Sequence, residues 1–196
     1  MKHLLVCAGL VFAATTVLAQ QSTPASPSNA APAAAAKKAP ASPPEKATGT
    51  IGGKQITITY SSPGVKGREG KIFTKDGLIS HNPHYPVWRA GANAATTLET
   101  TGDLMIGDVQ VPAGKYTLFV DISDPDQWTL IVNKKTGEWG LAYDGSQDLG
   151  KTKMQMSKPP SMVENLKWEI KGDGGKGMIS LAWEDHHASV PVMAHK

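Results

Sequence analysis

From Thr50 onward the apolar residues recur with a period of two, in short runs broken by turn residues. In "KQITITYSSP", Ile56, Ile58 and Tyr60 alternate with Thr57 and Thr59, so one set faces a core and the other faces away, as in a half-buried strand. "KYTLFVDI" sets Tyr116, Leu118 and Val120 against Thr117, Phe119 and Asp121, and "WTLIVN" sets Trp128, Leu130 and Val132 against Thr129 and Asn133. "LKWEI" places Leu166, Trp168 and Ile170 together, and "MISLAW" does the same with Ile179, Leu181 and Trp183. A helix needs apolar residues three and four apart, and no stretch offers a convincing amphipathic helix.

Turn chemistry separates the runs. Val111-Pro112-Ala113-Gly114 has proline at the second position and glycine at the fourth, as a type I turn prefers. Lys134-Lys135-Thr136-Gly137 and Gly172-Asp173-Gly174-Gly175 read as hairpin loops. Roughly eight to ten short strands without helices predict an all-β fold, a single antiparallel β-sandwich or flattened barrel over residues 50–196. Trp128, Trp139, Trp168 and Trp183 fall in or beside these strands and are expected in the core.

The N-terminus reads differently. "MKHLLVCAGLVFAATTVLAQ" has one lysine, an apolar run and small residues ending at Ala19, which predicts a signal peptide over 1–19 and an exported chain, periplasmic or extracellular. The apolar run is too short to span a bilayer, so no transmembrane segment is expected after cleavage. Bulky Val6 before Cys7 argues against a lipidated cysteine. Cys7 is the single cysteine, so the mature chain has no disulfide, thiolate metal site or cysteine nucleophile. Residues 20–49 hold ten Ala, six Pro and four Ser without an aromatic residue, the composition of a disordered linker that cannot bury enough apolar area to fold. The net charge of +3 is spread over interleaved Lys and Asp/Glu, with no basic footprint for nucleic acid.

The chain has only two arginines, Arg68 and Arg89, among 20 basic residues. A guanidinium is planar, forked and permanently charged, suited to gripping a carboxylate or phosphate, whereas lysine suffices on a solvated face. Arg89 sits in "WRAGANAATT", where Gly91 and Asn93 are the residues that tolerate unusual backbone conformations. Two readings follow. Each arginine ties a loop to the sandwich through a carboxylate such as Asp144, Glu164 or Glu184. Alternatively Arg89 grips a ligand, with Lys66, Arg68, Asn93 and Thr96 nearby, Trp88 or Trp139 as a wall, and Tyr143 and Asp144 within reach.

"ITITYSSPGVKGREG", "VWRAGANAATT", "VPAGKYTLF", "WTLIVNKKTGEWG" followed by Tyr143 and Asp144, and "SLAWEDHHASVPV" together resemble the secreted bacterial family catalogued as domain of unknown function 2911. The resemblance covers nearly all of residues 50–196 and implies one extracytoplasmic β domain. It brings no established activity or catalytic residue. It is weakest in "TKDGLISHNPHYP".

That weak segment carries His81 and His84, which are weak metal-ligand candidates because their spacing supplies no third ligand. Asp121, Asp124 and Asp126 lack the glycine and distant glutamate of a calcium loop. No G-x-S-x-G elbow or other catalytic motif is present, so no catalytic residue and no cofactor is assigned. The reading favoured is a non-enzymatic binding module of the cell envelope for a small anionic or carbohydrate-like ligand. The competing readings are a hydrolase with an acid/base pair drawn from Asp144, His84 and Glu184, and a structural partner of other envelope proteins. The oligomeric state is not legible.

Overall fold

The computed structural model of the chain describes residues 40–195. The expected signal peptide and the expected linker up to residue 39 lie outside these residues. The alternating runs form strands, and the shorter pieces between them add several more. In chain order these are β1 (Pro44–Ile51), β2 (Lys54–Ser61), β3 (Val87–Trp88), β4 (Thr96–Thr100), β5 (Leu104–Ile106), β6 (Val109–Val111) and β7 (Gly114–Asp121). The second half supplies β8 (Thr129–Asn133), β9 (Asp148–Lys153), β10 (Gln155–Ser157), β11 (Val163–Asp173), β12 (Lys176–Glu184) and β13 (His186–Ala194).

Two antiparallel sheets result, and they do not close into a barrel. The first runs β1-β2-β4-β7-β8-β9, with β3 also paired to β7. The second runs β11-β12-β13-β5-β6, with β10 also paired to β13. One hydrophobic cluster joins them. Ile56, Ile58, Leu98, Leu118, Val120 and Leu130 come from the first sheet, and Ile106, Trp168, Ile179, Leu181, Val190 and Val192 from the second. This is the β-sandwich that period-two patterning predicts. The edges meet as well, β1 against β11 and β6 against β9. Glycine permits the approach: a Cβ on Gly49 would stand 2.5 Å from Ile170 Cγ2.

Three sequence expectations are corrected. The domain does not begin at Thr50, because Pro44–Gly49, assigned to the linker, belong to β1 and pair with β2 from Pro44↔Ser61 to Ile51↔Lys54. Composition misleads here because the strand takes its order from the edge of β2 and buries only Ala47 and Ile51, while proline is tolerated as the first residue of an edge strand. Gly52 and Gly53, both left-handed at φ 55° and 76°, turn the hairpin.

Trp139 is not core: it is 61% exposed. Strand β7 is not half-buried either, for Thr117 and Phe119 are as buried as Leu118 and Val120. The segment between β8 and β9 covers that outer face. Thr117 Oγ1 donates to Lys135 O at 2.6 Å, and Tyr143 packs edge-on to Phe119 with ring centroids 4.9 Å apart.

On the outer face of β11, Glu169 accepts from Lys167 Nζ at 2.5 Å and from Lys171 Nζ at 2.9 Å. The Lys167 contact first, then Lys171, pulls its carboxyl from 4.5 down to about 2. A carboxyl harder to protonate when folded adds stability above its unfolded pKa and loses it as pH falls through the folded one. Glu169→Gln is therefore expected to be less stable than wild type at pH 6, with the two converging as pH falls from 4.5 toward 2. The lysines are 61% and 79% exposed, so solvent screening keeps the pH 6 difference below about 1 kcal/mol. Urea midpoints at pH 6 and pH 2.5 check this; a constant difference at both would contradict it.

Candidate functional site

The segment from Ser62 to Ala95 leaves the regular sheet and folds over the sandwich, anchored at several backbone points. β3 pairs with the end of β7 through Val87↔Asp121 and Trp88↔Val120, which buries Trp88 and sets Arg89 at the surface of the core. Ala90 then takes a left-handed conformation, φ 51°, as does Asn93, φ 58°. The sequence assigned that freedom to Gly91, whose φ is not left-handed. Gly91 is needed for close approach, because a Cβ there would stand 2.8 Å from Thr96 Oγ1. The turned-out Ala90 carbonyl accepts two bonds at 3.0 Å, from Thr96 Oγ1 of the first sheet and from Trp168 Nε1 of the second. Both sheets thus hold the residue next to Arg89. Trp88 Nε1 donates to Gly91 O at 3.2 Å, and Ala92 N donates to Ser61 O at 3.1 Å.

Arg68 and Arg89 line one cleft of about 350 Å³. Its floor is Trp88 and Trp183, whose rings stack with centroids 5.8 Å apart and planes 23° apart. Ile79, Leu78 and Leu141 add apolar wall, and His81 and Asn82 add polar groups. The lining includes no Asp or Glu. Arg68 is oriented by backbone carbonyls, Nε to Val65 O at 2.9 Å and Nη2 to Gly64 O at 2.7 Å. Arg89 Nε is buried and has no hydrogen-bond partner among the described residues, and burial lowers its pKa. Its aliphatic stem lies against Gly140, where a Cβ would collide with Arg89 Cδ and stand 2.5 Å from Asn93 O.

The expected carboxylate partners are otherwise engaged. Glu164 Oε1 accepts from Lys66 N at 3.0 Å, and Glu184 Oε1 accepts from Gly70 N in a short bond. Each acid pins the backbone of the loop that carries Arg68, so neither neutralises a guanidinium. Asp144 caps a single 3-10 turn (Gly145–Gln147), accepting from Ser146 N at 3.0 Å; the Ser146 hydroxyl first, then that amide, lowers its pKa. The reading in which each arginine is tied down by a carboxylate is corrected: among the described residues neither arginine forms an ion pair.

Of the nine expected ligand-binding residues, the cleft brings together Arg68, Trp88 and Arg89. Lys66 reaches away to Ala41 O at 2.7 Å, while Asn93 Nδ2, itself outside the lining, donates to the carbonyl of the lining residue Ser42 at 3.5 Å. Thr96 is fully buried on the Ala90 carbonyl, Trp139 is exposed and outside the lining, and Tyr143 donates to Asp148 Oδ2 at 2.7 Å. Burial, then Asp148, raises the Tyr143 pKa. His81 lines the cleft, whereas His84 packs edge-on to Tyr143 at 5.9 Å. Among the described residues the two histidines are not gathered with a third metal-ligating side chain. Asp144, His84 and Glu184, the expected acid/base residues, are all absent from the cleft lining: Asp144 caps its own turn, His84 packs on Tyr143, and Glu184 accepts from Gly70 N at the end of β12.

The family model described as "Protein of unknown function (DUF2911)" matches residues 42–192. The chain belongs to this family. No curated protein and no solved structure matches it. The DUF2911 match begins at Ser42, two residues before β1, in agreement with the corrected domain start. Sequence reasoning about this DUF2911 domain missed Trp183, Leu78, Leu141 and Gly140. Trp183 was legible only as a core residue, and no local signal marks a glycine whose role is to accommodate an arginine stem distant in the chain.

Proposed function

We propose that this DUF2911 domain is an exported, non-enzymatic binding module of the cell envelope, and that its cleft takes a small anion carrying an apolar body. One observation carries the reading: the cleft holds both arginines of the chain and no acidic residue, and Arg89 Nε is buried without a partner. Burying an unpaired cation costs stability, and an anionic ligand that completes it offsets that cost. The loop carrying Arg68 is held by carboxylates on its amides, which leaves the charge of both guanidinium groups for an incoming anion. Trp88 and Trp183 are 3% and 2% exposed. They form a floor beneath the cleft instead of an open stacking platform, which favours an anion with an apolar body over a sugar. Export rests on the N-terminal pattern, and no helix among the described residues is long and apolar enough to cross a membrane.

Isothermal titration with acetate, hexanoate, benzoate and inorganic phosphate tests the reading. Binding is expected to strengthen from acetate to hexanoate or benzoate and to weaken as salt rises, since an arginine contact at a partly open cleft is screened. If none of the four binds and none raises the melting temperature, the anion cleft is refuted.

A further inference from the structure

A second cleft, of about 430 Å³, shares no lining residue with the first. At its base is the turn between β12 and β13. These strands pair as far as Trp183↔His186, so Glu184, the last residue of β12, and Asp185 make the connection, and Glu184 is left-handed at φ 56°. Glycine is the residue expected at such a position. Three consecutive side chains, which an extended strand would send to alternate faces, converge instead: one ligand atom each from Glu184, Asp185 and His186 lies within 4.8 Å of the others.

His186 supplies the observation that points to a ligand. Its Nδ1 is 2.7 Å from Asp185 Oδ1, yet among the described residues that buried nitrogen has no partner with hydrogen-bond geometry. An imidazole nitrogen and a carboxylate oxygen this close are two ligand atoms that one cation beside them can take together. The ring cannot swing away, because it stacks on Trp128 with planes 10° apart and packs on Phe73 with centroids 4.5 Å apart. Glu184 is buried and oriented through Gly70 N, which occupies Oε1 and leaves Oε2 available. Lys75 lines the same cleft and forms no ion pair with the three.

We propose that Glu184, Asp185 and His186 bind a divalent transition-metal ion of the zinc class, with its remaining coordination positions open to the cleft. One imidazole and two carboxylates suit zinc better than magnesium or calcium, which take oxygen ligands. Three protein ligands leave a position for water or a ligand.

The test is isothermal titration of the full chain, after chelator treatment, with zinc chloride. One ion per chain is expected, with no binding of magnesium, and cobalt(II) chloride is expected to give a visible absorption band of nitrogen and oxygen coordination. Asp185→Asn, at an exposed turn position, and His186→Phe, which keeps a ring against Trp128, are each expected to weaken zinc at least roughly tenfold. Circular dichroism like that of wild type establishes that both variants are folded. No isotherm with wild type, or zinc bound equally by wild type and both folded variants, overturns the site.

Discussion

Replacing Arg89 by methionine is expected to raise the stability of the domain while abolishing its response to anions. Methionine keeps an unbranched stem against Gly140, where Arg89 Cδ now packs, and removes a charge whose buried Nε has no partner. A buried polar group left unsatisfied costs about 1–3 kcal/mol. Arg89 is half-buried, so the gain belongs at the low end, about 1 kcal/mol, or about 2–4 °C in melting temperature for a domain of this size. Arg89→Lys separates charge from geometry: it keeps a cation but loses the planar fork, so anion affinity falls without the gain in stability. Thermal melts of both variants with and without benzoate check this. If both melt below wild type without benzoate and respond to it as wild type does, Arg89 is a structural residue and the cleft reading fails.

Trp168 carries the largest expected loss. Its indole is 2% exposed, and its Nε1 holds the Ala90 carbonyl beside Arg89. Trp168→Ala removes a large ring from the middle of the sandwich and is expected to cost about 3–5 kcal/mol. Trp168→Phe keeps most of the apolar volume but removes the donor, for an expected cost of about 1–2 kcal/mol. Thr96 still bonds Ala90 in that variant, so the loop stays attached to the first sheet and loses its tie to the second. Anion affinity is expected to fall along with stability. Urea midpoints and benzoate titrations measure both, and a Trp168→Phe variant within about 0.5 kcal/mol of wild type would show that Thr96 alone suffices.

The stability gain expected at Arg89 and the loss expected at Trp168 have one origin. The sandwich spends buried hydrogen bonds on the backbone around Arg89 while leaving its guanidinium without an acidic partner. Such a trade of stability for a preorganised charge is typical of binding sites.

What the sequence determined by itself was the class of fold and the identity of the unusual residues. Period-two runs through Ile56, Leu118, Leu130, Trp168 and Leu181 specify strands with one face in a shared core, because alternation is a local property of an extended chain. The scarcity of arginine likewise marked Arg68 and Arg89, and the structure places both in one cleft. Only the tertiary structure decided the rest, since it depends on which distant groups meet. Pro44–Gly49 become a strand because β2 offers an edge, and Phe119 is buried because Tyr143 covers it. Trp139 stays outside the core, and Glu164 and Glu184 accept backbone amides where sequence suggested arginine partners. Pairing of charges, capping of a sheet face and the fit of Gly140 to an arginine stem are contacts between residues far apart in the chain, and no local pattern encodes them.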